Sequence, residues 1–347
     1  MTSAVAPAPA SPAPPPAPSA HLADALYVLP LRWTDDEGLA ELTAYLAELG
    51  AHLPVVVVDG SPPARWAAHA DAWRPLVAGG LHRVPPAPWP GANGKVAGVM
   101  TGVHLADRER LVLADDDVRW DRRGLERALA LLDDADVVRP QNHFDPLPWH
   151  TLWDTGRTLL NRAFGSDYPG TLVVRRSVLL RAGGYDGDVL FENLELLRTV
   201  VAAGGREHRA DDLLVRRLPP TARHFLGQRV RQAYDSQAQP ARLAAELAVL
   251  PALLAARRRP GLVAVAAAAV VAVAERGRRR AGGGRVLPAR ATLLAPAWLL
   301  ERGVCAWWAL ALRARGGVPY AGGRLRRAAT PTCVLAERLR DVRDATR

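Results

Sequence analysis

Leu111-Val112-Leu113-Ala114-Asp115-Asp116-Asp117-Val118 is an apolar run that stops in three consecutive carboxylates. A short, wholly apolar run reads as a strand buried on both faces, the kind found in parallel sheets covered by helices. In an open α/β sheet, ligands bind outside the carboxyl ends of the strands, where these acids would lie. Hard cations such as Mg²⁺ or Mn²⁺ take oxygen ligands, often one or two carboxylates plus substrate phosphates. The stretch therefore predicts a divalent metal that clamps a phosphorylated substrate. The plainer alternative is a polar strand-to-helix connection, with one Asp capping a helix over residues 121–132.

On the N-terminal side of this stretch, apolar runs alternate with helical patterns. Strands are expected at residues 25–31, 54–58 and 81–84, and helices at 39–49, 64–78 and 95–106. Gly50 closes the first helix as a C-cap, and Asp59-Gly60-Ser61 ends the second strand. On the other side, residues 170–174 read as a strand, and 192–203 and 225–236 as helices. The β-α-β-α alternation predicts an α/β fold with a mostly parallel sheet and helices on both faces.

A chain of 347 residues can bury a sizeable core. Its first twenty residues are nearly all Ala, Pro and Ser, so residues 1–23 are expected to be a disordered tail. That tail lacks a basic n-region and an apolar h-region, and no secretory signal is expected from it. The two cysteines, Cys305 and Cys333, make neither a disulfide framework nor a zinc set and suit a reducing compartment.

The net charge of +10 is unevenly spread. Residues 241–347 hold 20 Arg against 6 acids, whereas residues 1–240 hold 25 basic and 29 acidic side chains. Lysine occurs once, at Lys95, beside 44 Arg. The basic region interleaves with apolar runs at 247–256, 261–274 and 291–312, flanked by Arg257-Arg258-Arg259, Arg276 and Arg278–Arg280. The second run has 14 residues without a charge, short of the ~20 a spanning helix needs. The third is interrupted by Glu301-Arg302, and a charge at mid-membrane costs ~3 kcal/mol. With Trp298, Trp307 and Trp308, the pattern favours a helical region, residues 241–347, lying in or dipping into an anionic membrane surface, with spanning helices as the alternative. Nucleic acid is not expected as a partner, because Trp and Leu stand in blocks and no nucleic-acid-binding motif occurs.

Four features stand in order along residues 24–240: Asp59-Gly60-Ser61 after a strand, Asn93-Gly94-Lys95 opening a helix, the Asp115-Asp116-Asp117 cluster, and Gly183-Gly184-Tyr185-Asp186 followed by Phe191-Glu192-Asn193-Leu194-Glu195. Each has a bland reading: a turn, a solvated helix start, a helix C-cap, a charged helix face. Together, the ordered set resembles the family 2 glycosyltransferases of GT-A fold. The resemblance implies that Asp59 contacts the nucleotide base. It also implies that Asp117 binds Mn²⁺ or Mg²⁺ on the diphosphate, with Asp115 and Asp116 on the donor sugar-nucleotide. Lys95 is expected at the nucleotide or its phosphates, and Glu192 or Glu195 as the catalytic base.

The segment from Arg223 to Gln232 resembles the Q-x-x-R-W motif of that family, with Gln228 and Arg231 in place and Gln232 where Trp is usual. Arg231 would pair with the diphosphate, and His224 is a candidate further metal ligand, or else a capping or core histidine. The run Gly316-Gly317-Val318-Pro319-Tyr320-Ala321-Gly322-Gly323-Arg324-Leu325 is similar to the tail of ceramide-glucosyltransferase-like bacterial proteins. Two departures weaken a processive polymer synthase and the usual acidic pair: the missing Trp, and Asn193 where Asp is usual. The resemblance implies an inverting glycosyltransferase, and the basic apolar tail would hold it at the cytoplasmic face of the cell membrane. It would move a sugar from a nucleotide-diphosphate sugar to a hydroxyl of a lipid-linked or cell-envelope glycan. A sugar nucleotidyltransferase would need a Gly-rich basic loop where Pro30-Leu31-Arg32-Trp33 stands, and a catalytically inactive nucleotide-sugar binder or membrane scaffold is the non-enzymatic alternative.

Overall fold

The computed structural model describes residues 20–320 and 322–345. The tail expected at 1–23 lies outside them up to position 19; its end does not, for Ala20–Ala23 form one turn of helix, α1, whose Leu22 is fully buried in the core. Eight strands form one sheet: β1 (Ala25–Leu31), β2 (Val55–Asp59), β3 (Leu81–Val84), β4 (Arg110–Ala114), β5 (Val118–Arg119), β6 (Val137–Phe144), β7 (Thr171–Arg175) and β8 (Glu207–Arg217). Their order is β3-β2-β1-β4-β7-β6-β8-β5. Pairing is parallel through β3, β2, β1 and β4 and between β6 and β8; β7 and β5 run against their neighbours. The chain winds outward from β1 to β3 and then returns to place β4 on the other side of β1. That reversal makes a crevice at the carboxyl ends of β1 and β4.

The helices are α2 (Leu39–Gly50), α3 (Pro63–Trp73), α4 (Gly94–Leu105), α5 (Arg122–Ala130), α6 (Trp149–Phe164), α7 (Arg176–Arg181), α8 (Glu192–Ala202), α9 (Ala222–Tyr234), α10 (Pro240–Ala256), α11 (Pro260–Arg279), α12 (Arg290–Ala314) and α13 (Thr332–Ala345). Successive strand residues point to opposite faces of the sheet. Tyr27, Leu29, Val55, Val57 and Val112 pack under α2, α3 and α5, whereas Leu26, Val28, Val56, Val58 and Leu111 pack under α4 and α8. Both faces are covered, which is why these strands carry no polar alternation. On α4, a Cβ at Gly102 would stand 2.2 Å from Val28 Cγ1. The missing side chain lets the helix lie hard against β1 and hold its first turn at the strand ends.

Several expected boundaries move. The helix expected at 64–78 turns into a 3₁₀ segment, Arg74–Gly79, where Pro75 has no N–H to give the α ladder. The helix expected at 121–132 is capped by Asp121, which accepts from Gly124 N at 2.7 Å, and by none of the three aspartates of the acidic stretch. Strands β6 and β8 and helix α6 had no counterpart in the sequence reading. β6 carries Pro140 at a register shift between Arg139 and Gln141, and β8 is half charged. Both features hide a strand from a pattern search.

After α9 the chain continues into α10, α11 and α12, a two-stranded hairpin of β9 (Val318–Tyr320) and β10 (Gly323–Leu325), and α13. α12 packs on α6, α9, α10 and α11, and α11 packs on α6. At Gly277 of α11 an added Cβ would lie 1.8 Å from the Leu159 carbonyl oxygen, so this crossing admits only glycine. The hairpin and α13 return to α8: Phe191 N donates to Ala328 O at 2.8 Å, and Arg198 donates to Thr330 O at 2.9 Å.

Candidate active site

The crevice is a cleft of about 820 Å³ at the carboxyl ends of β1 and β4, within the range of small-molecule sites. β4 ends at Ala114, and a turn closed by Val118 N donating to Asp115 O at 3.1 Å sets three acids on its rim. Each finds a different partner. Asp115 Oδ1 lies 2.5 Å from Lys95 Nζ, Asp116 accepts from the Trp33 indole, and Asp117 Oδ2 accepts from Arg217 Nε at 2.8 Å. A second Arg217 nitrogen stands 3.6 Å from Asp115. Burial pushes the Asp117 carboxyl up to about 6, with Arg217 opposing and the neighbouring aspartates reinforcing. Burial raises Asp116 as well, although the Trp33 bond opposes it.

Lys95 stands in the first turn of α4, where Asn93 caps the helix by accepting from Lys95 N at 3.1 Å. Its ammonium also lies 2.5 Å from Glu192 Oε1, at the first position of α8. Burial alone would depress this ammonium, but Asp115 and Glu192 hold it well above the ordinary lysine range. Asn93 Oδ1 accepts a second bond, from the Tyr320 hydroxyl at 2.9 Å, which draws the β9–β10 hairpin over the cleft. The Arg231 guanidinium lies 4.8 Å from the Tyr320 ring centroid, a cation–π contact. Gln228, Arg231 and His224 line the cleft from α9.

Eight of the ten residues singled out in the sequence therefore line one space: Lys95, Asp115, Asp116, Asp117, Glu192, His224, Gln228 and Arg231. Two do not. Asp59 is turned into the protein, where it accepts from Ser61 N at 3.0 Å and lies 2.8 Å from His69 Nδ1 and 3.4 Å from Arg83. Burial works against its charge, but the Ser61 and His69 bonds prevail and lower it. The next residue, Gly60, is what the chain presents to the cleft at this point. Glu195 is fully buried one turn further along α8, accepting from Thr330 N at 2.6 Å, so only Glu192 of the two candidate bases reaches the cleft. Asn193 donates to Pro169 O at 2.9 Å.

Asp117 Oδ1 is buried and has no hydrogen-bond partner among the described residues, so one carboxylate oxygen is available to a cation. No group of three or more His, Cys, Asp or Glu side chains is gathered around it among the described residues, and His224 is exposed at the rim. The donor set fits a cation that takes one protein carboxylate and completes its shell with phosphate and water. It does not fit an all-protein cage.

Sequence reasoning missed Arg217, Asp235 and Tyr320, which also line the cleft. Arg217 ends an unrecognised strand, and with 44 arginines in the chain its residue type carried no signal. Asp235 directly follows α9, and burial together with the Glu192 charge pushes its carboxyl up to about 7 against Arg231, Arg302 and Arg242.

No protein-family model matches the chain, and no curated protein sequence matches it. Among solved structures it is similar to the mannosyltransferase PcManGT from Pyrobaculum calidifontis in complex with GDP-Man and Mn²⁺. The TM-score is 0.55 at 20% identity, over 82% of this chain and 87% of that one. It is also similar to residues 1–349 of S. aureus TarS, with TM-score 0.41 at 14% identity, over 60% of this chain and 64% of that one. The same TarS segment in complex with UDP-GlcNAc gives TM-score 0.41 at 15% identity, over 58% and 60%. The chain has the expected α/β fold of GT-A type, a mostly parallel sheet flanked by helices, followed by a helical C-terminal region.

Proposed function

We propose that this protein is an inverting glycosyltransferase that uses a nucleotide-diphosphate sugar. The observation that carries the reading is the cleft itself. It gathers three adjacent aspartates, Asp115 to Asp117, with Lys95 and Arg217 paired against them, Arg231 on the same lining, and the Glu192 carboxylate held by Lys95. The mannosyltransferase of similar fold was solved with GDP-Man and Mn²⁺, which supports a nucleotide sugar as donor and a divalent cation as cofactor here.

In this reading Lys95, Arg217 and Arg231 hold the diphosphate by charge-assisted hydrogen bonds and oppose the charge that grows on it as the sugar leaves. Asp117 would hold the Mn²⁺ or Mg²⁺ through its unpaired oxygen, and the ion when bound adds Lewis-acid stabilisation of the leaving diphosphate. Glu192 takes the proton of the acceptor hydroxyl as that oxygen attacks the anomeric carbon. Lys95 aims Glu192 through the contact between its ammonium and the carboxylate. The nucleotide lies towards Leu31, Arg32 and Gly60, on the side of the cleft away from α9.

The acceptor is proposed to be lipid-linked or part of an envelope glycan, with the enzyme at the cytoplasmic membrane surface. Pro260–Arg285 is long and apolar enough to cross a membrane and is only 11% buried over its apolar window. Leu254, Val265, Leu293 and Trp308 are each more than half exposed on α10, α11 and α12. We read 24–240 as the catalytic unit and 241–347 as the membrane-associated region.

The test is a donor screen with GDP-mannose and UDP-GlcNAc, with and without Mn²⁺, with detergent and lipid present. Metal-dependent binding with slow hydrolysis of one donor is expected. Glu192→Gln should keep donor affinity and lose about 10²–10⁴-fold in turnover. Full activity in that variant would remove Glu192 as the base. Metal-dependent binding of a donor with no turnover in any condition would favour the inactive-binder reading, for which Asn193 is the supporting observation.

A further inference from the structure

A smaller cavity of about 140 Å³ adjoins the cleft, bounded by α6, α9, α10 and α12. Arg302 lies against it with 0% exposure, and none of its three guanidinium nitrogens has a hydrogen-bond partner among the described residues. Its compensation is indirect. The Trp298 ring centroid lies 4.9 Å from the guanidinium carbon, and Glu246, the nearest acid in effect, is engaged by Arg242 at 2.9 Å. Burial pulls the Arg302 guanidinium down to about 10, as expected for a charge without a close partner. A buried, unpaired guanidinium is costly to hold, and a native group left in that state points to an ion that completes it.

The rest of the lining agrees. Arg157, Arg217 and Arg242 reach the same cavity, and the only carboxylate among the described lining residues is Asp235. The Ser236 hydroxyl there and one Asp235 carboxylate oxygen are also buried without a hydrogen-bond partner among the described residues. Planar guanidiniums with free N–H groups recognise phosphate in a bidentate way. Arg157, Phe191, Arg217 and Asp235 line both spaces, so the cavity opens beside Glu192, away from Leu31 and Gly60.

We propose that this cavity is a phosphoryl-binding subsite, centred on Arg302 and Arg242, for a phosphate group carried by the acceptor. The assignment to the acceptor rests on the glycosyltransferase reading; the binding of a phosphoryl group does not.

The experiment follows the thermal midpoint of the full chain in a phosphate series against chloride at matched ionic strength. Wild type, Arg302→Met and Arg242→Gln are compared, and the series is repeated with glycerol 1-phosphate and with saturating GDP or UDP. Phosphate should raise the wild-type midpoint and chloride should not. Arg302→Met should lose that shift and melt higher than wild type in phosphate-free buffer, because the uncompensated charge is gone. Arg242→Gln, at a half-buried position, should weaken the apparent phosphate affinity about tenfold and serves if Arg302→Met does not fold. The nucleotide should leave the phosphate shift in place. No phosphate shift in wild type, an equal shift in both variants, or its loss when nucleotide is added would overturn the subsite. Binding of phosphate but not of glycerol 1-phosphate would overturn the acceptor assignment and leave a free-anion site. An Arg302-dependent shift without binding of any donor would sink the transferase reading and keep the subsite.

Discussion

Asp154 is 3% exposed and lies between two guanidiniums, Arg229 at 2.9 Å and Arg157 at 3.2 Å. Burial opposes its charge, yet the two arginines hold the carboxyl well below the ordinary 3.8. A depressed folded-state pKa contributes stability that is complete above the unfolded value and is lost as pH falls through the folded one. Asp154→Asn should therefore destabilise at pH 7 and progressively less below about pH 4. Removing one member of a buried pair costs about 3–5 kcal/mol. Arg229 keeps Glu301 at 2.8 Å and Arg157 keeps Asp167 at 2.9 Å, so the lower end is expected. Denaturant melts of both proteins at pH 7 and pH 3 check this; a gap that widens in acid would contradict it. A second residue-scale expectation concerns Asp117. Asp117→Asn should abolish the Mn²⁺-dependent part of donor binding and leave any metal-independent part, read by calorimetry with and without the ion. Equal Mn²⁺ dependence in both proteins would place the cation elsewhere. At this scale the sequence told much. Lys95, Glu192, Arg231 and the aspartates stand in a recognisable order because each opens or ends an element that points at the strand ends. Asp59 and Glu195 do not line the cleft, because a carboxylate next to the right motif can still turn inward, where His69 and Thr330 engage it. Likewise Glu301 and Arg302, adjacent in sequence, point apart: Glu301 pairs with Arg229, and Arg302 faces the small cavity.

At the scale of elements, α4 decides where the cationic side of the cleft sits. Gly102 is the point at which α4 touches β1, and Gly98 approaches Pro30 Cβ, where an added Cβ would stand at 2.8 Å. Gly102→Ala should force α4 off the sheet and cost about 1–3 kcal/mol through overpacking, with a parallel loss of donor affinity because Lys95 moves with the helix. A denaturation midpoint equal to wild type would show that the crossing is looser than the geometry implies. Strands β1, β2 and β4 were legible because burial on both faces demands unbroken Val and Leu runs. β6 and β8 were not, because their residues are kept in place by partners distant in sequence. Arg139 of β6 lies 2.9 Å from Glu207 of β8, and the Asn142 side chain donates to Val215 O at 3.1 Å. Polar side chains satisfied across strands look, in one dimension, like loop.

Across the whole molecule, the basic excess and most of the exposed large apolar side chains among the described residues fall in the same C-terminal helical region. Under the proposed membrane reading, the protein should sediment with vesicles containing anionic lipid and less with neutral ones, and salt should weaken the interaction. Leu254→Glu with Val265→Glu should reduce binding while the donor site, built by other elements, keeps its affinity. Equal sedimentation of the double variant would remove α10 and α11 as the contact. The amino-acid sequence by itself determined the layered α/β architecture, because apolar runs and helical periods are local and survive translation into strands and helices. It also determined the acidic cluster at a strand end and the polarity of the two halves. Only the tertiary structure decided which acids face the cleft. It alone brought Arg217, Asp235 and Tyr320 to it from three remote segments, and left Arg302 buried without a hydrogen-bond partner among the described residues. Those outcomes depend on long-range packing and on which buried charge meets which, and neither is written in the order of residues along the chain.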